Sequence, residues 1–357
     1  EIDLGIAFLG MPEVAVTGTN GKTTTVTLIH QMLLASGLDS ELIGNVGTPF
    51  VSLVEPETLR VAIGSIPKRE KLLVAEVSSY QLEAAFDFSP HIGVCLNIED
   101  DHLERHGTFD NYLLAKSRIF SAQRAMEDWA ILWADDPNFK KIRSFVKGSF
   151  LPCGMATPER LRERNGCFID EAEERIVFAR EGVFEEYSLA DWKPLGFHNR
   201  LNLAAAIAAA RLAGATHDGV AKVIAEFNAL PHRIEVVGEI NDVLYVNDSK
   251  GTNVSAVKVA VGTIPSTRKH RKIVLLLGGQ AKLGSWEPIR EVLGGAVRQV
   301  IGFGASGDYI AEQLEVKFDV VADGTPQGKI RSGLWQVPFH RVATLADAVK
   351  DAAKSSQ

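Results

Sequence analysis

The stretch Val14–Thr25, VAVTGTNGKTTT, leaves the chain few ways to fold. A short apolar β-type run leads into a glycine loop, then a lysine and threonines at a helix start. Glycines let backbone N–H groups approach phosphate oxygens closely. A helix N-terminus adds aligned partial positive charge. Lys22 is placed to reach β- and γ-phosphates, and the Thr23 hydroxyl to meet Mg²⁺. The spacing departs from the common phosphate loop, because Val16 stands where that form has its first glycine. The compact Gly18-x-x-Gly21-Lys22-Thr23 form fits a generic kinase or GTPase poorly. Gly18, Thr19, Asn20, Gly21, Lys22, Thr23 and Thr24 are the candidate nucleotide contacts. The bland alternative is a tight turn with a solvated lysine. The ordered succession of strand, loop, lysine, threonine and helix speaks against it.

The same rhythm continues along the chain. Thr23–Ser36 carries apolar residues at helical spacing and is stopped by Gly37. Leu72–Ala75 and Ile92–Leu96 are continuous apolar runs, the pattern of strands buried on both faces. This predicts an α/β fold, a mostly parallel sheet wrapped by helices. Between about 145 and 187 the segments Cys167–Ile169 and Arg175–Phe178 read as hairpin material, a small subsidiary sheet. The alanine-rich run Asn199–Ala213 favours helix. A second α/β series begins after Ala229-Leu230-Pro231, so domains are expected at 1–229 and 230–357. Its strands are Leu244–Asn247, Ile273–Leu277, Val300–Ile301 and Phe318–Val321, with helices such as Val254–Val261 and Tyr309–Leu314 between them.

With 357 residues there is material for two cores, and a net charge of −7 argues against non-specific nucleic-acid binding. Cys95, Cys153 and Cys167 are too few and too scattered for a disulfide framework or a structural zinc site. They read as buried, reduced thiols. The run Ile273–Leu277 is too short to span a bilayer, and no secretory leader is seen. The expected compartment is the cytoplasm.

Glu76 directly succeeds the strand Leu72–Ala75. A carboxylate at the C-terminal end of a central strand points into the crevice where α/β sheets bind ligands, and suits Mg²⁺. His102 and Lys116, taken alone, read as a surface histidine and a solvated lysine.

Together TGTNGKT, the Glu76-Val77-Ser78-Ser79 segment and Asp101-His102-Leu103 resemble the Mur ligases, and the related folylpolyglutamate synthases. The resemblance covers essentially the whole chain. It implies a P-loop-type ATP-binding domain, then a Rossmann-like amino-acid-binding domain. It also implies metal ions held by Thr23, Glu76, His102 and Lys116, the lysine carrying a CO₂-derived carbamate. Carbamylation needs a neutral amine, hence a lowered pKa. By the same resemblance Asn45, in Gly44-Asn45-Val46-Gly47-Thr48-Pro49, faces the reacting substrate, with Ser78 beside it. Asn199 and Asn202 of Phe197-His198-Asn199-Arg200-Leu201-Asn202, together with Arg233 and Asp248, match contacts to ATP. Lys250, Thr252 and Lys282 match residues on the side of the incoming amino acid.

The stretch Asn247-Asp248-Ser249-Lys250-Gly251-Thr252-Asn253 favours the D-glutamate-adding branch. The implied substrates are then UDP-N-acetylmuramoyl-L-alanine and D-glutamate, with ATP and Mg²⁺ as cofactors. The expected working unit is a monomer, with no nucleic-acid or membrane partner. Catalysis is assigned to Lys22, Lys116, His102 and Asn45. Relative to the family pattern, an N-terminal uridine-diphosphate-binding domain and a final C-terminal segment are absent from this sequence. Three rival readings are another Mur-type or folylpolyglutamate-type ligase, a non-catalytic ATP-binding relative, and a dinucleotide enzyme built on Gly302-Phe303-Gly304-Ala305-Ser306-Gly307. The last motif comes after a strand and precedes a helix, but only Asp319 loosely supplies the expected acid. It reads as a structural turn.

Overall fold

The computed structural model describes residues 2–54, 71–267, 272–280, 285–320, 326–332 and 335–356. They form two compact units, Glu1–Asn228 and Ala229–Gln357.

The first unit is built on one nine-stranded sheet in the order β2-β3-β1-β4-β5-β6-β7-β8-β9. Its strands are β1 (Val14–Thr17), β2 (Ser40–Gly44), β3 (Leu72–Glu76), β4 (Ile92–Cys95), β5 (Trp129–Trp133), β6 (Ser149–Met155), β7 (Gly166–Asp170), β8 (Arg175–Arg180) and β9 (Val183–Ser188). The strands β1 to β7 pair in parallel, whereas β7-β8-β9 is antiparallel. The hairpin expected as a subsidiary sheet is therefore hydrogen-bonded onto the main sheet through β6–β7.

The helices of this unit are α1 (Ile2–Leu9), α2 (Lys22–Ala35), α3 (Ser79–Glu83), α4 (Leu103–His106), α5 (Phe109–Ser117), α6 (Phe139–Arg143), α7 (Phe197–Leu212) and α8 (His217–Glu226). All four residues of β1 are fully buried, as a central parallel strand requires. The helix α2 turns Val26, Leu28, Ile29, Met32 and Leu33 inward. Each such side chain contributes about 1.5–3 kcal/mol on burial. Six alanines of α7 (Ala204–Ala206 and Ala208–Ala210) are buried, and their small side chains let α7 pack closely on α2 and on β5–β7.

The topology places the site. From β1 the chain builds β2 and β3 on one side, then crosses to β4 on the other. A parallel sheet binds ligands outside the carboxyl ends of its strands, at such a switch point. The phosphate loop leaves β1 there, flanked by the ends of β3 and β4.

The second unit has a ribbon of β10 (Glu235–Ile240) and β11 (Val243–Asn247), and a five-stranded sheet in the order β12-β13-β16-β15-β14. These five are β12 (Ile273–Gly278), β13 (Val297–Phe303), β14 (Asp319–Val320), β15 (Pro326–Ser332) and β16 (Trp335–Val342). Only β12, β13 and β16 are parallel; β14 and β15 close the edge antiparallel. Its helices are α9 (Val254–Thr267), α10 (Arg290–Leu293), α11 (Ser306–Gln313) and α12 (Leu345–Ser356). The core gathers Val257, Val261, Ile289, Val300, Ile330 and Phe339.

In the Gly302–Gly307 turn, Arg341 donates to the Gly304 carbonyl (2.8 Å) and pairs with Asp308 (2.7 Å). An internal guanidinium and a carboxylate occupy the mouth of this turn. That explains the motif as packing. Among the described residues no helix is long and apolar enough to cross a membrane.

Candidate functional site

The loop between β1 and α2 is braced from behind by the segment after β4. Thr19 N–H donates to the Asn97 carbonyl (2.9 Å). The Asn97 side chain brackets Asn20, accepting from its N–H (2.8 Å) and donating to its carbonyl (3.1 Å). Thr19 Oγ1 accepts from Glu99 N–H (3.0 Å) and donates to the Glu99 carbonyl (3.3 Å). Gly21, at φ +87°, opens α2. A Cβ there would meet Asn202 Oδ1 at 2.1 Å, so only glycine lets α7 touch the loop.

Two ammonium groups share one acceptor. Lys22 Nζ donates to the carbonyls of Gly18 (2.8 Å) and Thr19 (2.9 Å), and Lys116 Nζ donates to the Gly18 carbonyl (2.8 Å). Lys116 lies on α5 and is 2% exposed. Burial first, and the Lys22 charge second, pull its amine down to about 7. An ordinary surface lysine is protonated at neutral pH, whereas this one offers a substantial neutral fraction.

Glu76 ends β3 and is buried. Gly44 (φ +95°) lets the next strand come close, since a Cβ there would lie 2.3 Å from the Glu76 carbonyl. Asn45 then donates from its side chain to Glu76 Oε1 (2.8 Å) and from its backbone to the Glu76 carbonyl (2.9 Å). Glu76 Oε2 is buried with no hydrogen-bond partner among the described residues. A buried carboxylate oxygen without a partner fits a cation. Among the described residues no three His, Cys, Asp or Glu side chains form a metal cage. Mg²⁺ is a cation that leans on few carboxylates together with phosphate oxygens and water.

His102 sits in the left-handed conformation (φ 55°) at the start of α4. Its Nδ1 meets the Tyr80 hydroxyl (2.9 Å) and its Nε2 lies 3.6 Å from Asp101 Oδ2. The Ser78 hydroxyl caps α3, reciprocally with Gln81, and so holds local structure.

Asn199 and Asn202 occupy the first turns of α7, both buried. Asn199 donates to the Leu195 carbonyl (2.7 Å), and Asn202 donates to Asn199 Oδ1 (3.4 Å). Asn202 lines a slot together with Asn20, Gly21, Asn97, Trp133 and His198. His198 Nδ1 is buried without a hydrogen-bond partner among the described residues, and burial pulls the imidazole down to about 4. It is neutral at pH 7.

In the second unit, Asp248 Oδ1 accepts from Ile234 N–H (3.1 Å), which ties the Arg233 turn to the end of β11. Burial raises the Asp248 pKa, against the Ile234 N–H and the Arg233 charge. Lys250 and Thr252 are exposed in the next loop. Lys282 lies outside the described residues.

The structure thus brings together Gly18–Thr24, Asn45, Glu76, Lys116, Asn199 and Asn202 in the first unit, and Arg233 with Asp248 in the second. Sequence reasoning misses Asn97, His106 and Tyr112. His106 Nε2 meets the buried Ser79 hydroxyl at 3.0 Å, and Tyr112 meets Thr19 at 3.1 Å. The one signal for Tyr112 is its i, i+4 spacing from Lys116.

Two family models match. Residues 16–210 match the Mur ligase middle domain, and residues 232–357 the Mur ligase, glutamate ligase domain. The chain is 36% identical to the UDP-N-acetylmuramoylalanine–D-glutamate ligase of Geobacter metallireducens, over 88% of this chain and 64% of that one. With the enzyme of the same name from Acidobacterium capsulatum it shares 35%, over 91% and 66%. It therefore spans about two thirds of the length of these relatives. A crystal structure of MurF from Acinetobacter baumannii shares the fold, with a TM-score of 0.66 at 18% identity over 97% of this chain and 70% of that one. The chain belongs to the Mur ligase family.

Proposed function

We propose that this chain carries the ATP-binding and amino-acid-binding parts of a ligase that adds D-glutamate to UDP-N-acetylmuramoyl-L-alanine. The observation that carries the reading is the pair Lys22 and Lys116 on the Gly18 carbonyl, at the mouth of a phosphate loop. The likeness to named D-glutamate ligases supports the substrate choice.

In the first step the alanyl carboxylate oxygen attacks the γ-phosphorus of ATP. The β–γ bridging P–O bond breaks and ADP leaves. In the second, the D-glutamate amine attacks the acyl-phosphate carbon, the C–O bond breaks, inorganic phosphate leaves and the nitrogen loses a proton. The loop amides, the α2 N-terminus and Lys22 offset charge on the transferring group. By the family resemblance Arg233 and Asp248 are assigned to the nucleotide, and Lys250, Thr252 and Lys282 to D-glutamate. Asn45 orients the Glu76 carboxylate and faces the acyl substrate, and Ser78 holds α3 in place beside it. Asn199 and Asn202 are the candidates for a further contact to the nucleotide, Asn202 lying against Gly21 of the phosphate loop.

Thr23, Glu76 and His102 would hold Mg²⁺, which supplies Lewis-acid stabilisation of phosphoryl oxygens. A neutral Lys116 amine can attack CO₂, forming an N–C bond and releasing a proton to leave a carbamate. Its lowered pKa supports that modification. The reaction belongs in the cytoplasm on this reading, in keeping with three buried free cysteines, and in a single copy of the chain.

The test is phosphate release from Mg·ATP. Release should require both UDP-N-acetylmuramoyl-L-alanine and D-glutamate, and should collapse in Lys22→Ala. Release driven equally by another amino acid, or by a folate substrate, would overturn the assignment.

A further inference from the structure

Tyr112 is a fully buried side chain beside the phosphate loop with no role so far. It lies one turn before Lys116 on α5, on the same helix face, and is 1% exposed. Its ring centre is 4.7 Å from Lys116 Nζ. Its hydroxyl is 3.1 Å from Thr19 Oγ1. Thr19 Oγ1 also accepts from the Glu99 N–H and lies 3.3 Å from the Glu99 carbonyl, so the Tyr112–Thr19 bond ties α5 to the loop whichever hydroxyl donates. Burial pushes the phenol well above its ordinary range, which keeps the proton in place. The rings of His106 and His102 lie 5.2 and 6.4 Å away.

These contacts close a circuit. Tyr112 holds Thr19, whose carbonyl accepts from Lys22. Lys22 and Lys116 share the Gly18 carbonyl, and Lys116 returns to the Tyr112 ring. A side chain serving only as core filler has no need of a hydroxyl. Here the hydroxyl is hydrogen-bonded to the loop that surrounds the phosphate site.

We infer that Tyr112 is a positioning residue, its hydroxyl fixing the phosphate loop and its ring fixing the Lys116 arm. This rests on the ATP reading above. The two halves separate in Tyr112→Phe, which keeps the ring, and Tyr112→Leu, which removes both.

The experiment measures the dissociation constant of Mg·ATP by titration. It also tracks the acetylation rate of Lys116 by acetic anhydride with peptide mass spectrometry. Tyr112→Phe should weaken ATP roughly tenfold, the size of one buried hydrogen bond, with Lys116 acetylated at the wild-type rate. Tyr112→Leu should weaken ATP at least as much and speed acetylation several-fold. Thr19→Val removes the same bond from the other side together with the acceptor of the Glu99 N–H, so combined with Tyr112→Phe the loss should fall short of the sum of the two single losses.

Wild-type ATP affinity in Tyr112→Phe, or fully additive losses in the double variant, would overturn the role of the hydroxyl. Equal acetylation in the Phe and Leu variants would overturn that of the ring. A wild-type chain that binds no Mg·ATP would instead sink the ATP reading itself. A purely structural effect would lower the fraction of binding-competent protein and leave the dissociation constant unchanged, which would also overturn the positioning role.

Discussion

Lys116 is 2% exposed and gives its amine to the Gly18 carbonyl, whereas Lys250 stands in solvent in the loop after β11. The contrast extends to their surroundings. Around the phosphate loop, Asn97, Tyr112, Glu76 and Asn45 bond to one another or to the loop residues. In the 230–253 segment backbone turns, such as Gly251 N–H to the Asp248 carbonyl (2.8 Å) and Lys250 N–H to the His232 carbonyl (3.1 Å), join side-chain bonds such as Ile234 N–H to Asp248, while Lys250 and Thr252 stay exposed. Groups that must meet a polyanion are pre-organised, where misplacement costs most. On the proposed reading the groups that meet the amino acid, Lys250 and Thr252, stand exposed. Substitutions in the first region should therefore change chemistry and stability together, and those in the second should change affinity alone.

The largest expected effect is that of Lys22→Ala. Phosphate release should fall about a thousandfold, as when one pre-organised transition-state donor is removed. A loss of only tenfold would mean that the loop binds nucleotide without driving the reaction, and the contrast would fail.

Next comes Lys116. Its amine is held near 7 in the folded chain against an ordinary value of 10.5. Between those values the unfolded chain binds more protons than the folded one, so stability rises with pH. The cost of burying the charge, a few kcal/mol, is fully present below pH about 7 and fades as pH rises toward 10.5. Urea midpoints of the wild type and Lys116→Met, at pH 6 and pH 9.5 in CO₂-free buffer, should therefore draw apart in favour of the variant at low pH. A pH-independent difference would show that this amine is not depressed.

Lys250→Ala sharpens the other side. The KM for D-glutamate should rise about tenfold, the scale of one charge-assisted hydrogen bond. The unfolding free energy should stay within about 0.5 kcal/mol of wild type, as at an exposed position. A large loss of stability would mean that this loop is more tightly built than its exposure indicates.

Smallest is Ser78→Ala, which removes the α3 cap and should cost about 1 kcal/mol of stability in chemical denaturation. If instead the KM for the uridine substrate rises with stability unchanged, Ser78 contacts substrate as the sequence resemblance implies.

Legibility in the sequence divides along the same line. The phosphate loop is legible because strand, glycines, lysine and helix are contiguous, and each has a local cause. Glu76 is legible from its place at a strand end. Tyr112 and Asn97 are not, because their partners lie 93 and 77 residues away in the chain. Only folding brings the end of β4 and the face of α5 behind the loop. The β7–β8 hairpin can be read locally, but its attachment to the main sheet cannot, since the parallel partner of β7 is β6, reached through an irregular connection rather than a hairpin turn. The β15–β16 hairpin escapes sequence reading altogether. Its strands carry charged and polar residues at most outward positions and have no long apolar run.

The Glu76 oxygen that has no partner among the described residues has a consequence outside catalysis. A buried carboxylate oxygen with no partner costs about 1–3 kcal/mol, and a cation that binds only the folded chain recovers part of that. The ionic medium then becomes part of what keeps the chain folded. Two preparations of one sequence, handled in chelator and in millimolar magnesium, would differ in shelf life before either had met a substrate. Glu76→Gln would make them age alike.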